Sequence, residues 1–181
     1  MRKVFSFISV SVDGYHEGAK GELDWHNVDE EFNAFAIEQL DAADTLVFGR
    51  ATYEVMASYW PTKEAREGDP EVAARMNDSA KVVVSRTLGA SEWARTRVVR
   101  DVSAIAELKL EAGREIAVLG SSALTASLLR HGILDELRLM VMPVALGEGR
   151  SLFGGADRVA LELLDTRRFA SGNTLLTYRP R

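Results

Sequence analysis

The ten residues TLVFGRATYE, Thr45 to Glu54, decide how this chain folds. Thr45 to Phe48 is a short apolar run closed by Gly49, the pattern of a strand buried on both faces. Arg50 to Tyr59 takes up helical spacing directly after that glycine. A buried strand that turns into a helix through a single small residue is half of a parallel crossover unit. Related patterns follow downstream. Lys81 to Ser85 (KVVVS) runs into Arg86-Thr87, and Glu115 to Leu119 (EIAVL) runs into Gly120-Ser121-Ser122 and a helix. These units predict an α/β domain around a mostly parallel sheet.

Working outward, Val4 to Val12 reads as a first strand stopped by the turn signal Asp13-Gly14. Tyr15 to His26, with Gly18 and Gly21, is expected as a loop. Asn27 is the expected N-cap of an amphipathic helix running to about Ala43, with Glu30 as its capping-box partner. Between Pro61 and Asp78, Asp69-Pro70 suits the start of one brief helix. Arg97 to Arg100 is a weaker strand, and Ser103 is expected to cap a helix stopped by Gly113. The last third changes character: Leu134 to Val144, Val159 to Phe169 and Thr174 to Arg179 predict an antiparallel set, with Ser171-Gly172-Asn173 as a hairpin turn. No repeat or linker interrupts the chain, so residues 1–181 are expected to form a single domain.

The composition narrows the function. A chain of 181 residues with 46% hydrophobic and 27% charged residues suits one globular domain. Its formal net charge of −5 disfavours nucleic acid and anionic membranes as partners. There is no cysteine, which excludes disulfides, thiolate metal sites and cysteine nucleophiles. No run reaches the roughly 20 apolar residues of a membrane span, so a cytoplasmic protein is expected. His16 and His26 lack partners at metal-ligand spacing, and no metal site is expected.

The strand ends carry the chemistry. In open α/β sheets, ligands gather at the carboxyl ends of parallel strands. Small residues at a helix start let backbone N–H groups approach a phosphate, and the helix dipole favours its charge. Gly49, Gly120, Ser121 and Ser122 meet that description. Arg50 and Arg86 stand beside Thr52 and Ser85, and a guanidinium beside a hydroxyl suits a phosphate monoester. Taken singly, each turn is only a tight turn. Taken together they point to a dinucleotide with a 2′-phosphate, NADPH.

The same residues carry a resemblance. Strand-Gly-Arg-x-Thr-Tyr-Glu, a later strand-Ser-Arg, and strand-Gly-Ser-Ser-x-Leu resemble the dihydrofolate-reductase-like superfamily. SVDGY, TYEVMASYWP and GILDELRLMVMPVALGEGRSLF are closer to the branch holding the reductase domain of the bifunctional riboflavin-biosynthesis deaminase–reductase and its stand-alone relatives. The resemblance implies a three-layer fold, with a mostly parallel central sheet, antiparallel C-terminal strands and flanking helices. It implies that Gly49, Arg50 and Thr52 meet the pyrophosphate and adenosine side of NADPH, and that Gly120, Ser121 and Ser122 meet the pyrophosphate. Ser85 and Arg86 would sit at the 2′-phosphate, and the backbone from Val10 to Gly14 beside the nicotinamide. It also implies a homodimer built through the C-terminal strands. With no cysteine and no extra length, the zinc deaminase half of the bifunctional enzyme is not expected in this sequence.

The substrate side is less marked. Asp13, directly after the first strand, is the candidate catalytic acid, and equally a turn aspartate bonding its own backbone. Asp29, with Asn33 beside it, is the candidate helix acid facing a substrate, although such residues more often border solvent. Trp25, Tyr53, Tyr59 and Trp60 are candidate walls for a flat heterocycle, against the commoner role of aromatic residues as core. Arg150 is the candidate rim for an anionic substrate. Gly147-Glu148-Gly149 lacks the third glycine and the helix of a dinucleotide fingerprint. Gly120-Ser121-Ser122 lacks the closing glycine of a nucleophile elbow, which argues against a serine hydrolase. The expected reaction is NADPH-dependent reduction of a small nitrogen heterocycle of the riboflavin-precursor type. The alternatives are pterin or dihydrofolate reduction, or a nucleotide-binding module without catalysis.

Overall fold

A computed structural model describes residues 1–154 and 158–181. The chain opens with β1 (Val4–Ser11), β2 (Tyr15–Glu17), α1 (Glu30–Ala42), β3 (Ala43–Gly49) and α2 (Arg50–Tyr59). It continues through α3 (Lys63–Gly68), α4 (Pro70–Asp78), β4 (Ala80–Val84), β5 (Thr96–Val99), α5 (Ser103–Leu108), β6 (Glu115–Leu119) and α6 (Ser122–Arg130). It closes with β7 (Glu136–Met142), β8 (Arg150–Ser151), β9 (Leu161–Arg168) and β10 (Thr174–Pro180).

The main sheet has the order β5-β4-β3-β6-β1-β7-β10-β9. Every pair from β5 to β7 is parallel, whereas β10 runs antiparallel to both β7 and β9. The parallel part and the antiparallel end both agree with the sequence reading. Strand β7 joins them, pairing with β1 on one side and β10 on the other.

Burial follows from the alternation of side chains along each strand. In β3, Leu46, Val47 and Phe48 are fully buried, as expected of a strand covered on both faces. Leu46 and Phe48 pack in one cluster with Leu40 of α1, Tyr53 of α2 and Met76 of α4. Val47 faces the other way, into a cluster with Ile105 of α5 and Leu124 and Leu128 of α6. Two helical layers therefore sandwich the sheet. Each fully buried side chain of this kind contributes about 1.5–3 kcal/mol by leaving water.

Several local expectations need correction. The N-cap of α1 is Asp29, whose Oδ1 accepts from the Phe32 N–H at 2.8 Å. Asn27 lies outside the helix, where its Nδ2 donates to the Ser171 carbonyl at 3.3 Å and its own carbonyl accepts from Asn173. Ser103 lies inside α5, and Asp101 accepts from its N–H at 2.9 Å. The polar stretch after Pro61 holds two helices, α3 and α4, the first capped by Thr62. Part of the expected loop after Gly14 forms β2, which pairs with β8 as a small antiparallel ribbon. Alternation over three residues was too short a signal to read.

Lys81, at the start of β4, is 1% exposed. Its ammonium donates to the carbonyls of Met76, Asn77 and Ser79 at 2.7–3.0 Å, satisfying acceptors at the end of α4. It also sits 4.6 Å from the centre of the Trp93 ring. That lysine locks α4 to the sheet.

Candidate functional site

Strands β3 and β6 are neighbours, yet the helices that follow them leave in opposite directions across the sheet. Helix α2 leads on to β4 at the β5 side, and α6 leads to β7 on the far side of β1. A crevice opens between adjacent strands where connections diverge in this way. Gly49 and Gly120 end these two strands and stand at its mouth.

The contacts confirm how close they are. The Gly49 N–H donates to Ser121 Oγ at 3.0 Å, and Ser121 Oγ donates to the Leu119 carbonyl at 3.1 Å. Thr52 Oγ1 donates to the Gly120 carbonyl at 3.3 Å. Gly120 has φ +61°, in the left-handed region that favours glycine, and a Cβ there would stand 3.4 Å from Thr52 Cγ2. Gly49 is the N-cap of α2 and Ser121 that of α6, and neither supplies a side-chain hydrogen bond to its helix. Two N-termini thus present first-turn N–H groups, without a capping side chain, at one crevice. That is the donor set an anion such as a pyrophosphate requires. The residues fit the group.

Beside this crevice, the turn after β4 forms a cationic corner. Ser85 is buried, and its Oγ accepts from the N–H groups of Thr87 and Leu88 at 3.3 and 3.0 Å. Arg100 braces the turn from outside, donating to the carbonyls of Ser85 and Leu88 at 2.9 and 2.7 Å. Arg50 reaches across from α2, with Nη1 donating to Thr87 Oγ1 at 2.8 Å and Nε to Glu54 Oε1 at 2.7 Å. Arg86 is exposed on the same turn. Ser85, Arg50 and Arg86 therefore share one corner, and Ser121, Gly120, Gly49 and Thr52 share the adjoining crevice. Ser122 is the first residue of α6.

Sequence reasoning passed over Glu54, Thr87 and Arg100. Thr87 was read only as part of the turn after Ser85, and Glu54 stands four residues after Arg50 on the same helix face.

At the end of β1, Val10 is buried and Gly14 adopts φ +87°. Asp13 has a structural task. Its carboxylate accepts from Ser11 Oγ at 2.6 Å, from the Leu146 N–H at 3.1 Å and from the Gly147 N–H at 2.7 Å. The Ser11 hydroxyl, followed by the Gly147 N–H, holds its pKa down to about 2. It stays ionised at neutral pH and has no proton to give, so the expected acid role is corrected to a tether between two loops.

The substrate-side candidates scatter. Asp29 is committed to capping α1, and Asn33 donates to Asp69 Oδ1 at 3.2 Å. Tyr59 and Trp60 close α2, a helix that runs back from the crevice. The Trp60 carbonyl accepts from Asn77, just before β4 begins, so this pair lies at the opposite edge of the sheet. They form no wall to the crevice. Tyr53 is core, packed near Trp93 and hydrogen-bonded through its hydroxyl to Ser91. Trp25 packs beside Phe35, Met140 and Phe169, with its indole N–H on the Glu22 carbonyl at 2.9 Å. Arg150 pairs with Glu17 across the β2–β8 ribbon at 2.8 Å. Gly149, just before it, serves that ribbon, since a Cβ there would collide with the Glu17 carbonyl.

His16 and His26 each bury an Nε2 atom without a hydrogen-bond partner, and burial lowers the pKa of both. Among the described residues no cluster of histidine and carboxylate ligands could hold a metal ion, and no helix is long and apolar enough to cross a membrane.

Comparison with known proteins agrees with this fold. Residues 2–175 match the family model described as the RibD C-terminal domain. Two Bacillus subtilis proteins, the uncharacterized proteins YyaP and YwjB, are similar over most of their length. YyaP is 29% identical over 98% of this chain and 94% of its own, and YwjB is 28% identical over 93% and 92%. Among solved structures, a putative riboflavin biosynthesis protein from Shewanella sp. PV-4 superimposes with a TM-score of 0.72 at 23% identity, covering 99% of both chains. A diaminohydroxyphosphoribosylaminopyrimidine deaminase/5-amino-6-(5-phosphoribosylamino)uracil reductase from Thermotoga maritima superimposes with a TM-score of 0.73 at 16% identity, over 99% of this chain and 57% of that one.

Proposed function

Because the chain belongs to the RibD C-terminal domain family, we propose that it is an NADPH-dependent reductase of a small nitrogen heterocycle. The reaction class is that named for the Thermotoga maritima neighbour, reduction of an aminopyrimidine carrying a sugar. One observation carries the reading above the rest: Gly49 and Ser121 meet at 3.0 Å, so α2 and α6 begin side by side at a single crevice.

NADPH, when bound, supplies the hydride for a C=O or C=N carbon of the substrate. The chain's own contribution is to bind and orient. First-turn N–H groups of α2 and α6 hold the pyrophosphate, with Gly49 and Gly120 leaving room for it. Arg50 and Arg86, with the turn at Ser85, take the 2′-phosphate and select against a cofactor lacking it. The backbone from Val10 to Gly14 borders the nicotinamide. A riboflavin-type substrate is favoured over a pterin because Asp29, the helix acid a pterin would need, already caps α1.

A second reading, a nucleotide-binding module without catalysis, gains from the commitment of both Asp13 and Asp29 to structural bonds. A fluorescence titration with NADPH, followed by oxidation assays over a panel of aminopyrimidines and pteridines, separates the readings. Binding with turnover on an aminopyrimidine supports the reductase. Binding without turnover on any member supports the module, and the absence of binding at millimolar NADPH defeats both.

The reading includes a homodimer formed through the C-terminal strands. It is supported by β9, the outermost strand, where Leu163 and Leu164 are 53% and 39% exposed.

A further inference from the structure

We propose that Glu54 is a positioning residue that sets Arg50 for a 2′-phosphate and so determines selectivity between phosphorylated and unphosphorylated cofactors. The proposal rests on the NADPH reading above. Arg50 is the first residue of α2 and Glu54 stands one turn later, joined to it through Nε at 2.7 Å. Helix stability does not account for this pair. A cation at a helix N-terminus opposes the dipole, and a base preceding an acid by four residues is the less favourable order. Both side chains are about half exposed, at 51% and 49%, so the bond between them adds little to the fold.

What the pair does is remove the freedom of the guanidinium. Glu54 takes Nε and Thr87 takes one hydrogen of Nη1 at 2.8 Å. Thr87 is itself fixed, because its turn is bonded inward by Ser85 and outward by Arg100. Of the five N–H donors of arginine, both on Nη2 and one on Nη1 remain. These adjacent nitrogens match two oxygens of a phosphate monoester, and a donor held in place beforehand loses less freedom on binding. Glu54 also opposes an incoming anion by its charge. Positioning and repulsion therefore predict different signs when the residue is changed.

The test compares adenosine 2′,5′-bisphosphate with AMP, by calorimetric titration of the wild-type chain and the variants Glu54→Ala and Glu54→Gln. Glu54→Ala is expected to weaken the bisphosphate about fivefold, the upper worth of an exposed pair, and to leave AMP unchanged. Glu54→Gln keeps an acceptor for Nε and is expected to restore most of the preference. Equal weakening of both ligands, or tighter binding of the bisphosphate in both variants, overturns the proposal. A wild-type chain that does not distinguish the two ligands overturns the NADPH reading, and the role of Glu54 with it. A wild-type preference that is unchanged in size in Glu54→Ala overturns only the role of Glu54.

Discussion

The Gly49 N–H donates to Ser121 Oγ at 3.0 Å, across 72 residues of sequence. This bond ties the end of β3 to the start of α6 and holds together the two turns that frame the crevice. The Ser121 side chain has two tasks, accepting from Gly49 and donating to Leu119, and it is only 4% exposed.

Replacing Ser121 with alanine leaves the Gly49 N–H without its partner. The expected cost is about 1–3 kcal/mol of stability, or roughly 2–4 °C per kcal/mol in the midpoint of thermal unfolding. NADPH affinity is expected to fall as well, since α2 and α6 lose their mutual register. A midpoint within a degree of wild type would show that the bond carries no such weight.

Gly120→Ala introduces a Cβ at φ +61° and 3.4 Å from Thr52 Cγ2. A left-handed alanine costs about 1–2 kcal/mol before any contact is counted. Gly49→Ala is expected to be mild for the fold, because its Cβ meets Ser121 and Leu124 only at 3.8 Å. Unfolding and cofactor titrations on the pair therefore separate the effects: Gly120→Ala lowers stability and affinity together, and Gly49→Ala mainly affinity.

Arg50→Ala or Arg86→Ala is expected to weaken NADPH by about 10- to 100-fold, the worth of a hydrogen bond to a charged group, and to leave NADH nearly unchanged. Parallel titrations of each variant with both dinucleotides give the answer. Equal losses for both would remove the 2′-phosphate from this corner.

The pH dependence of stability carries two signatures. Asp13 is held down to about 2 in the folded chain, first by the Ser11 hydroxyl and then by the Gly147 N–H, against 3.8 when free. The stability it contributes is present above 3.8 and is lost as pH falls toward 2. Lys81 behaves in the opposite sense. Burial lowers it to about 8 from 10.5, so the unfolded chain holds the proton over that interval and stability rises with pH across it. Denaturant titrations of wild type, Asp13→Asn and Lys81→Met should show each variant losing its own slope and keeping the other.

How much of this was legible in the sequence follows from the range of each interaction. The parallel core was readable because buried strands such as Thr45–Phe48 and Glu115–Leu119 are continuous apolar runs, a signal held within a few residues. The glycines at their ends were readable as turns, and their convergence followed from the rule that parallel strands present their carboxyl ends on one edge. The substrate side was not. Asp13 bonds to Gly147, 134 residues away, and no local pattern distinguishes that tether from a catalytic acid. Tyr59 and Trp60 looked like walls until the direction of α2 placed them at the far edge of the sheet. Asp29 and Asn27 are both good caps two residues apart, and the hairpin at Ser171 and Asn173 claimed Asn27.

The C-terminal edge yields the last prediction. Strand β9 pairs only with β10 in the main sheet, so its outer row of backbone groups is unpaired there. Isolated monomers protect such edges with charge, proline or a covering loop, and β9 carries charge at Glu162, Asp165, Arg167 and Arg168 but leaves apolar surface between them. Here Leu163 and Leu164 sit where the pairing with β10 shifts register at a β-bulge, and both are exposed. A second copy docked along this edge would remove both leucines from water, at about 25 cal/mol for each Å² covered. Multi-angle light scattering is expected to give twice the chain mass of 19.9 kDa for the wild type. Leu163→Glu places a carboxylate in the contact and is expected to give the monomer mass, with the fold intact because that side chain is 53% exposed. A wild-type monomer, or a Leu163→Glu dimer, would place the contact elsewhere or remove it.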